Sequence, residues 1–190
     1  MNDGVRRMGL AGIVAGLAFF VGQGGELVVG DDSRPLLLLA VGFVVVAIVA
    51  FGLAFVAMRS VLRHSRAGRV GATTGVAGVM LLLAFAVQLV VTALRTGEVP
   101  QNFALFALGF LLVFAAHLVV ARPLGAVLGG AGWLSVVAAV ALMVALVTNE
   151  IFIWHDLALF VFEGCWVAIG VLAVRQSSRL GALAVESLSP

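Results

Sequence analysis

The chain has 190 residues, of which 63% are hydrophobic and only 11% are charged, and its formal net charge is +2. Soluble domains carry about a quarter charged residues, so this composition excludes an ordinary soluble enzyme and indicates a membrane protein. The small net charge gives no reason to expect a nucleic-acid partner. The single cysteine cannot form an internal disulfide bond.

Six apolar stretches are each long enough to cross a bilayer, which takes about 20 helical residues. They comprise residues 8–29, 35–58, 71–94, 103–121, 124–148 and 157–174. The first is expected to be a span and not a cleaved signal peptide, because no small-x-small cleavage site precedes a polar segment. The intervening segments are too short to fold alone. Residues 1–190 are therefore predicted to form one integral membrane domain, an all-α polytopic bundle of six transmembrane helices in the lipid bilayer.

The arginines are distributed unequally between the two ends of this bundle. Nine of the eleven lie before the first stretch, between the second and third, between the fourth and fifth, or after the sixth. The other gaps hold only Arg34 and Arg95. Because positive charge in short loops is retained on the cytoplasmic side, both termini are predicted to be cytoplasmic. The protein is accordingly predicted to be a multi-pass protein of the cell membrane.

Similar sequence recurs in every second helix and predicts three tandem helical hairpins. The second helices of the hairpins begin with related sequences, at residues 36–43, 103–110 and 157–164. The first helix of each hairpin carries two glycines four residues apart near its arginine-rich end. These pairs are Gly12 and Gly16, Gly71 and Gly75, and Gly125 and Gly129. The alternative explanation is that leucine, alanine and arginine recur at membrane borders by chance and through the positive-inside rule. An inverted repeat of the transporter type fits less well.

Glycines spaced in this way allow close approach of helix backbones in lipid, so these faces are predicted to pack helix against helix. The first, third and fifth helices are therefore predicted to form an inner ring. The second helix has no polar side chain between Leu36 and Met58, and it is predicted to face lipid.

Polar side chains lie toward the outer end of several of these helices. At similar predicted depth are Gln23, Glu26, Gln88 and Glu163, and at the mouth of the same cluster are Glu150, His155 and Asp156. An acidic side chain within a span costs about 2.5–3.5 kcal/mol on insertion scales and usually faces a bundle interior or an aqueous cavity. No arginine lies at that depth, so neutralisation requires a proton, a bound cation or another chain.

The leading hypothesis is a transport-type protein with an outward-opening acidic pocket for a proton, a cation or a cationic solute. Glu163 and Glu26 would bind the proton, cation or cationic solute, and Gln88 and Gln23 would orient it. In the alternative, Glu163 is a protonated carboxyl group hydrogen-bonded to Gln88. The chain is then a structural or accessory subunit that packs against its own copies or against other membrane subunits.

An enzyme is the third interpretation, because no nucleophile or metal-binding set is apparent. His117 lacks a second axial ligand at matching depth, as haem ligation between helices requires, and no HExxH motif occurs. No metal and no cofactor are therefore predicted.

Four arginines between the second and third stretches form a predicted basic collar. They are Arg59, Arg63, Arg66 and Arg69. Such a collar attracts anionic lipid headgroups at about 1 kcal/mol per residue near the surface. The alternative is that these residues only fix the topology.

Overall fold

The computed structural model describes residues 2–29, 34–96, 103–148 and 152–186, and all its regular elements there are helices. The six helices are α1 (Asn2–Val29), α2 (Arg34–Val61), α3 (Arg66–Thr96), α4 (Ala104–Leu128), α5 (Ala131–Val147) and α6 (Phe152–Glu186). Five are long and apolar enough to cross a membrane, whereas α5 is an apolar helix of 17 residues. The prediction of an all-helical bundle is confirmed, and five of the described helices, instead of six, are long and apolar enough to span a membrane.

The boundary between the fourth and fifth helices differs from the prediction. The Arg122–Pro123 pair suggested a break, but α4 continues through Pro123 to Leu128. Helices in membranes tolerate proline because neighbouring groups compensate for the lost hydrogen bond. The chain turns at Gly129, whose φ of 58° is the left-handed conformation that favours glycine. Gly125 and Gly129 therefore end α4 instead of beginning the fifth helix.

The six helices form one closed ring in chain order. Each helix packs on the next, and α6 returns to pack on α1. In the described residues, the predicted separate inner ring of alternate helices is therefore not found. The interior is filled mainly by large side chains of α2, α4 and α6.

The prediction that α2 faces lipid is wrong for half of its surface. Phe55 is 0% exposed in the centre of the ring, whereas Leu53 on the opposite side is 59% exposed. Lipid and a membrane-protein interior are equally apolar. The composition of α2 therefore carries no signal that separates its inner face from its outer face.

The ring closes at a seam of glycines between α1 and α6. A Cβ atom on Gly16 would lie 2.7 Å from the carbonyl oxygen of Glu163, and one on Gly170 would lie 2.6 Å from that of Gly9. Gly12 faces the Trp166 ring, and a Cβ atom built on it would lie 3.3 Å from Cε3. The two backbones approach so closely that no side chain fits between them.

The other two predicted glycine pairs occupy different surroundings. Gly71 faces Val119 and Val120 of α4, and Gly75 leaves room for the ring of Phe55. Gly125 lies against Gly132 of α5, whereas no atom lies within 4 Å of a Cβ built on Gly129.

Gly170→Ala is expected to destabilise the protein by about 1–3 kcal/mol, the usual cost of overpacking, because a backbone carbonyl at 2.6 Å cannot give way. Gly164→Ala on the same helix is the control, since its Cβ would meet nothing within 4 Å. Thermal unfolding of the two purified variants in one detergent measures the difference. Equal melting temperatures would contradict the close approach of α1 and α6.

Candidate functional site

A cavity of about 270 Å³ lies inside the ring, at the end where α1 finishes and α2 begins. Its walls come from α1, α2, α3, α4 and α6 and are mostly aliphatic and aromatic. The polar part of the lining consists of Gln23, His155 and Asp156. All three belong to the last turns of α1 or the first turn of α6, so the polar groups gather at one end of an otherwise apolar chamber.

A hydrogen bond across the ring holds two of these residues together. Gln23 Nε2 donates to Asp156 Oδ1 at 3.0 Å, and the amide orientation follows because an ionised carboxylate only accepts. Gln23 is 6% exposed, and its Oε1 atom is buried with no hydrogen-bond partner among the described residues. The pair therefore places the Asp156 carboxylate at the cavity, whereas the Gln23 amide oxygen is buried and has no partner among the described residues.

His155 is fixed by the neighbouring helix. Its Nδ1 lies 2.8 Å from the carbonyl oxygen of Ala145 on α5. Because a carbonyl can only accept, Nδ1 donates its proton in this contact. This contact sets the orientation of the imidazole beside Asp156.

Four phenylalanines contribute aromatic rings to the walls. They are Phe19, Phe85, Phe106 and Phe110. The rings of Phe85 and Phe106 lie 5.3 Å apart, and those of Phe106 and Phe110 lie 4.4 Å apart, measured between centroids. The faces of such rings attract cations, so the apolar walls add to the attraction that the Asp156 carboxylate exerts on a positive charge.

Glu163 lies deeper than the cavity and is not part of its lining. It follows Asp156 by two helical turns, which is roughly 10 Å along α6. Its side chain is 1% exposed, and neither carboxyl oxygen has a hydrogen-bond partner in the part of the chain that the structure describes. A charged carboxylate in such surroundings is costly unless it is paired, so this group requires a proton or a bound cation.

Two further buried polar side chains lie in the centre of the ring. The His117 ring is edge-on to that of Trp166, with centroids 5.3 Å apart, and Trp166 follows Glu163 by one helical turn. His117 Nδ1 contacts the Val113 carbonyl oxygen at 2.7 Å. Within the described residues, His117 Nε2 and Trp166 Nε1 have no hydrogen-bond partner.

Sequence reasoning misplaced or missed these two residues. The predicted bounds of the fourth span, residues 103–121, put His117 close to one end, but α4 continues to Leu128 and leaves His117 near the middle. Trp166 was not singled out, because membrane tryptophans are usual at interfaces. Its spacing of three residues from Glu163 was the available signal.

Only some residues of the predicted polar cluster therefore lie together in the structure. Gln23, His155 and Asp156 line one cavity, whereas Gln88 and Glu163 do not. Gln88 is half-buried on α3, where the neighbouring Leu89 faces the cavity; successive helical residues differ by about 100°. The side chain of Glu26 and the whole of Glu150 lie outside the described residues.

Three of the four predicted collar arginines line one open groove at the opposite end of the bundle. They are Arg59, Arg66 and Arg69. Arg63 lies elsewhere and donates from Nε to His64 Nε2 at 3.0 Å.

Within the described parts of the chain, no group of three or more histidine, cysteine or acidic side chains is arranged to hold a metal ion. In comparisons with known proteins, the chain matches no family model, no curated protein and no solved structure. The geometry of the cavity is therefore the main basis for a functional argument.

Proposed function

We propose that this chain is a small transport-type protein of the cell membrane that binds a cation or a cationic solute in the cavity beside Asp156. Both termini lie in the cytoplasm in this proposal, and the cavity opens outward. The observation that supports it most directly is the Asp156 carboxylate, which Gln23 holds by a hydrogen bond at one end of an otherwise apolar chamber.

The orientation is supported by the positions of the arginines. The groove of Arg59, Arg66 and Arg69 and the cavity lie at opposite ends of the bundle. If the arginine-rich end is cytoplasmic, as the positive-inside rule requires, the cavity is at the outer side. The helices then form three tandem hairpins of one orientation.

The chemistry of the lining favours an organic cation over a metal ion. Calcium needs six to eight oxygen ligands, whereas Asp156 supplies the only carboxylate in the described lining. Cavities for drug-sized ligands measure about 300–1,000 Å³, so a volume of about 270 Å³ suits a small solute. A quaternary ammonium group, with its charge near Asp156 and its alkyl groups against phenylalanine rings, satisfies both features.

The packing of α1 also favours an internal site over an accessory role. An accessory subunit would use the face of Gly12 and Gly16 to bind another protein. That face is covered by α6 of the same chain, at Trp166 and Glu163. Association with other copies or subunits through other surfaces stays a prediction.

Asp156→Asn tests the proposal. Titration calorimetry with tetraethylammonium is expected to show a loss of affinity of at least about tenfold, because the only acidic side chain in the described lining is neutralised. Asp3→Asn removes the same charge from an exposed position in the first turn of α1, and it should bind as the unmodified protein does. Equal affinities of both variants, or no binding of any cation by the unmodified protein, would overturn the proposal.

A further inference from the structure

The groove at the arginine-rich end combines two kinds of surface. Arg59 comes from the last turn of α2, and Arg66 and Arg69 come from the first turns of α3. Beyond them the lining continues with two threonines and with apolar side chains of α3 and α4. These residues are Thr73, Thr74, Val70, Ala77 and Leu112. Cationic groups therefore lie at the rim of the bundle, and apolar groups extend from them toward its middle.

The positive charge of this groove is not compensated within the described residues. The first turn of α3 contains no acidic side chain, although the N-terminal end of a helix already carries partial positive charge. Ser65 caps this end by accepting the Gly68 backbone N–H at 3.1 Å. In the part of the chain that the structure describes, no carboxylate forms an ion pair with the three groove arginines.

We propose that this groove is a binding site for an anionic phospholipid. The guanidinium groups of Arg59, Arg66 and Arg69 bind the phosphate, since arginine presents paired donors that match phosphate oxygens. Thr73 donates its hydroxyl proton to the Arg69 carbonyl oxygen at 2.9 Å, which leaves Thr74 as the hydroxyl donor. An acyl chain lies along the apolar part of the groove.

A lipid fits this surface better than a small soluble anion does. Val70 is more than half exposed beside the arginines, and Ala77 and Leu112 extend the apolar lining away from the charged rim. A free phosphate would contact the arginines alone, whereas a phospholipid covers both surfaces. Cytoplasmic leaflets also carry the anionic lipids that attract basic groups next to a span.

Arg63 provides a comparison that separates lipid binding in the groove from a role in membrane orientation alone. It lies in the same segment and contributes the same charge to the positive-inside pattern, but its Nε bonds to His64. It does not line the groove. If the arginines only fixed orientation, all four would be equivalent for lipid binding.

The test measures lipid binding to the purified full chain by native mass spectrometry, with dioleoyl phosphatidylglycerol as the probe and dioleoyl phosphatidylcholine as the neutral control. Arg59→Gln, Arg66→Gln and Arg69→Gln are each expected to weaken phosphatidylglycerol binding about fivefold. Arg63→Gln should change it less than about twofold, and phosphatidylcholine binding should stay constant in all four variants. Melting temperatures confirm that each variant is folded.

Two results would overturn the proposal. Equal losses in Arg63→Gln and in the groove variants would mean that only net charge matters. Displacement of phosphatidylglycerol by soluble glycerol phosphate at equal concentration would mean that the groove recognises a small anion without its acyl chains. Binding of phosphatidylglycerol that glycerol phosphate does not displace, and that is lost only in the groove variants, supports the lipid site.

Discussion

Trp166→Ala is expected to lower the free energy of unfolding by about 3–5 kcal/mol, the range for large aromatic truncations in a packed interior. Trp166 is 1% exposed in the centre of the ring. Its ring lies edge-on to those of Phe51 and Phe55, at centroid distances of 5.0 and 5.4 Å. Truncation therefore leaves a void that α1, α2, α4 and α6 all border.

Trp133→Ala is the matched control, because Trp133 is 77% exposed on α5. Truncation of this side chain should change the free energy of unfolding by less than about 1 kcal/mol, as is usual for substitutions of exposed residues. Trp166→Phe keeps most of the volume and, since Nε1 has no partner among the described residues, should cost less than Trp166→Ala. Denaturation in mixed micelles compares the three variants. Equal effects of Trp166→Ala and Trp133→Ala would show that Trp166 is not in the core.

Glu163→Gln is expected to keep the fold and to lower cation flux strongly. The amide has the shape of the carboxyl group, and no hydrogen bond from the described residues to the carboxyl oxygens is lost. It cannot release a proton or balance a bound cation, which are the two ways in which a buried, unpaired carboxyl group contributes to transport. Uptake of tetraethylammonium into proteoliposomes should fall at least about tenfold, with an unchanged melting temperature.

Glu163→Gln also distinguishes a role in transport from a role as an accessory subunit. Asp3→Asn, which neutralises an acidic side chain in the first turn of α1, is the control and should transport normally. If Glu163→Gln transports normally but changes the oligomeric state or the proteins that co-purify, Glu163 contributes to assembly and the transport hypothesis fails for this residue.

Sequence patterns predicted the all-helical architecture because hydropathy over about 20 residues is a strong signal. They did not predict the end of α4, because Pro123 is tolerated within it and Gly129 makes the turn. They also assigned α2 to lipid, although Phe55 fills the centre of the ring. An apolar helix gives no sequence signal that distinguishes lipid from protein neighbours.

The depth of Gln23 and Asp156 was predictable, whereas the depth of Glu163 relative to Gln23 and the rotation of the third helix were not. Gln23 and Asp156 belong to helix ends on the same side of the bundle, so their proximity follows from the order of the spans. Gln88 has a suitable depth but lies outside the cavity lining, because the rotation of a helix is set by its packing against neighbours. Glu163 shares a helical face with Asp156 but lies two turns deeper, beyond the cavity lining.

The position of a bound cation would show directly whether the cavity beside Asp156 is a cation site. A high-resolution structure of the purified protein with tetraethylarsonium, a heavy-atom analogue of tetraethylammonium, locates the charge by anomalous scattering. We expect one arsenic peak inside the cavity, between the Asp156 carboxylate and the rings of Phe85 and Phe106. A peak elsewhere, or a cavity closed by repacked side chains with no bound cation, would contradict a cation site beside Asp156.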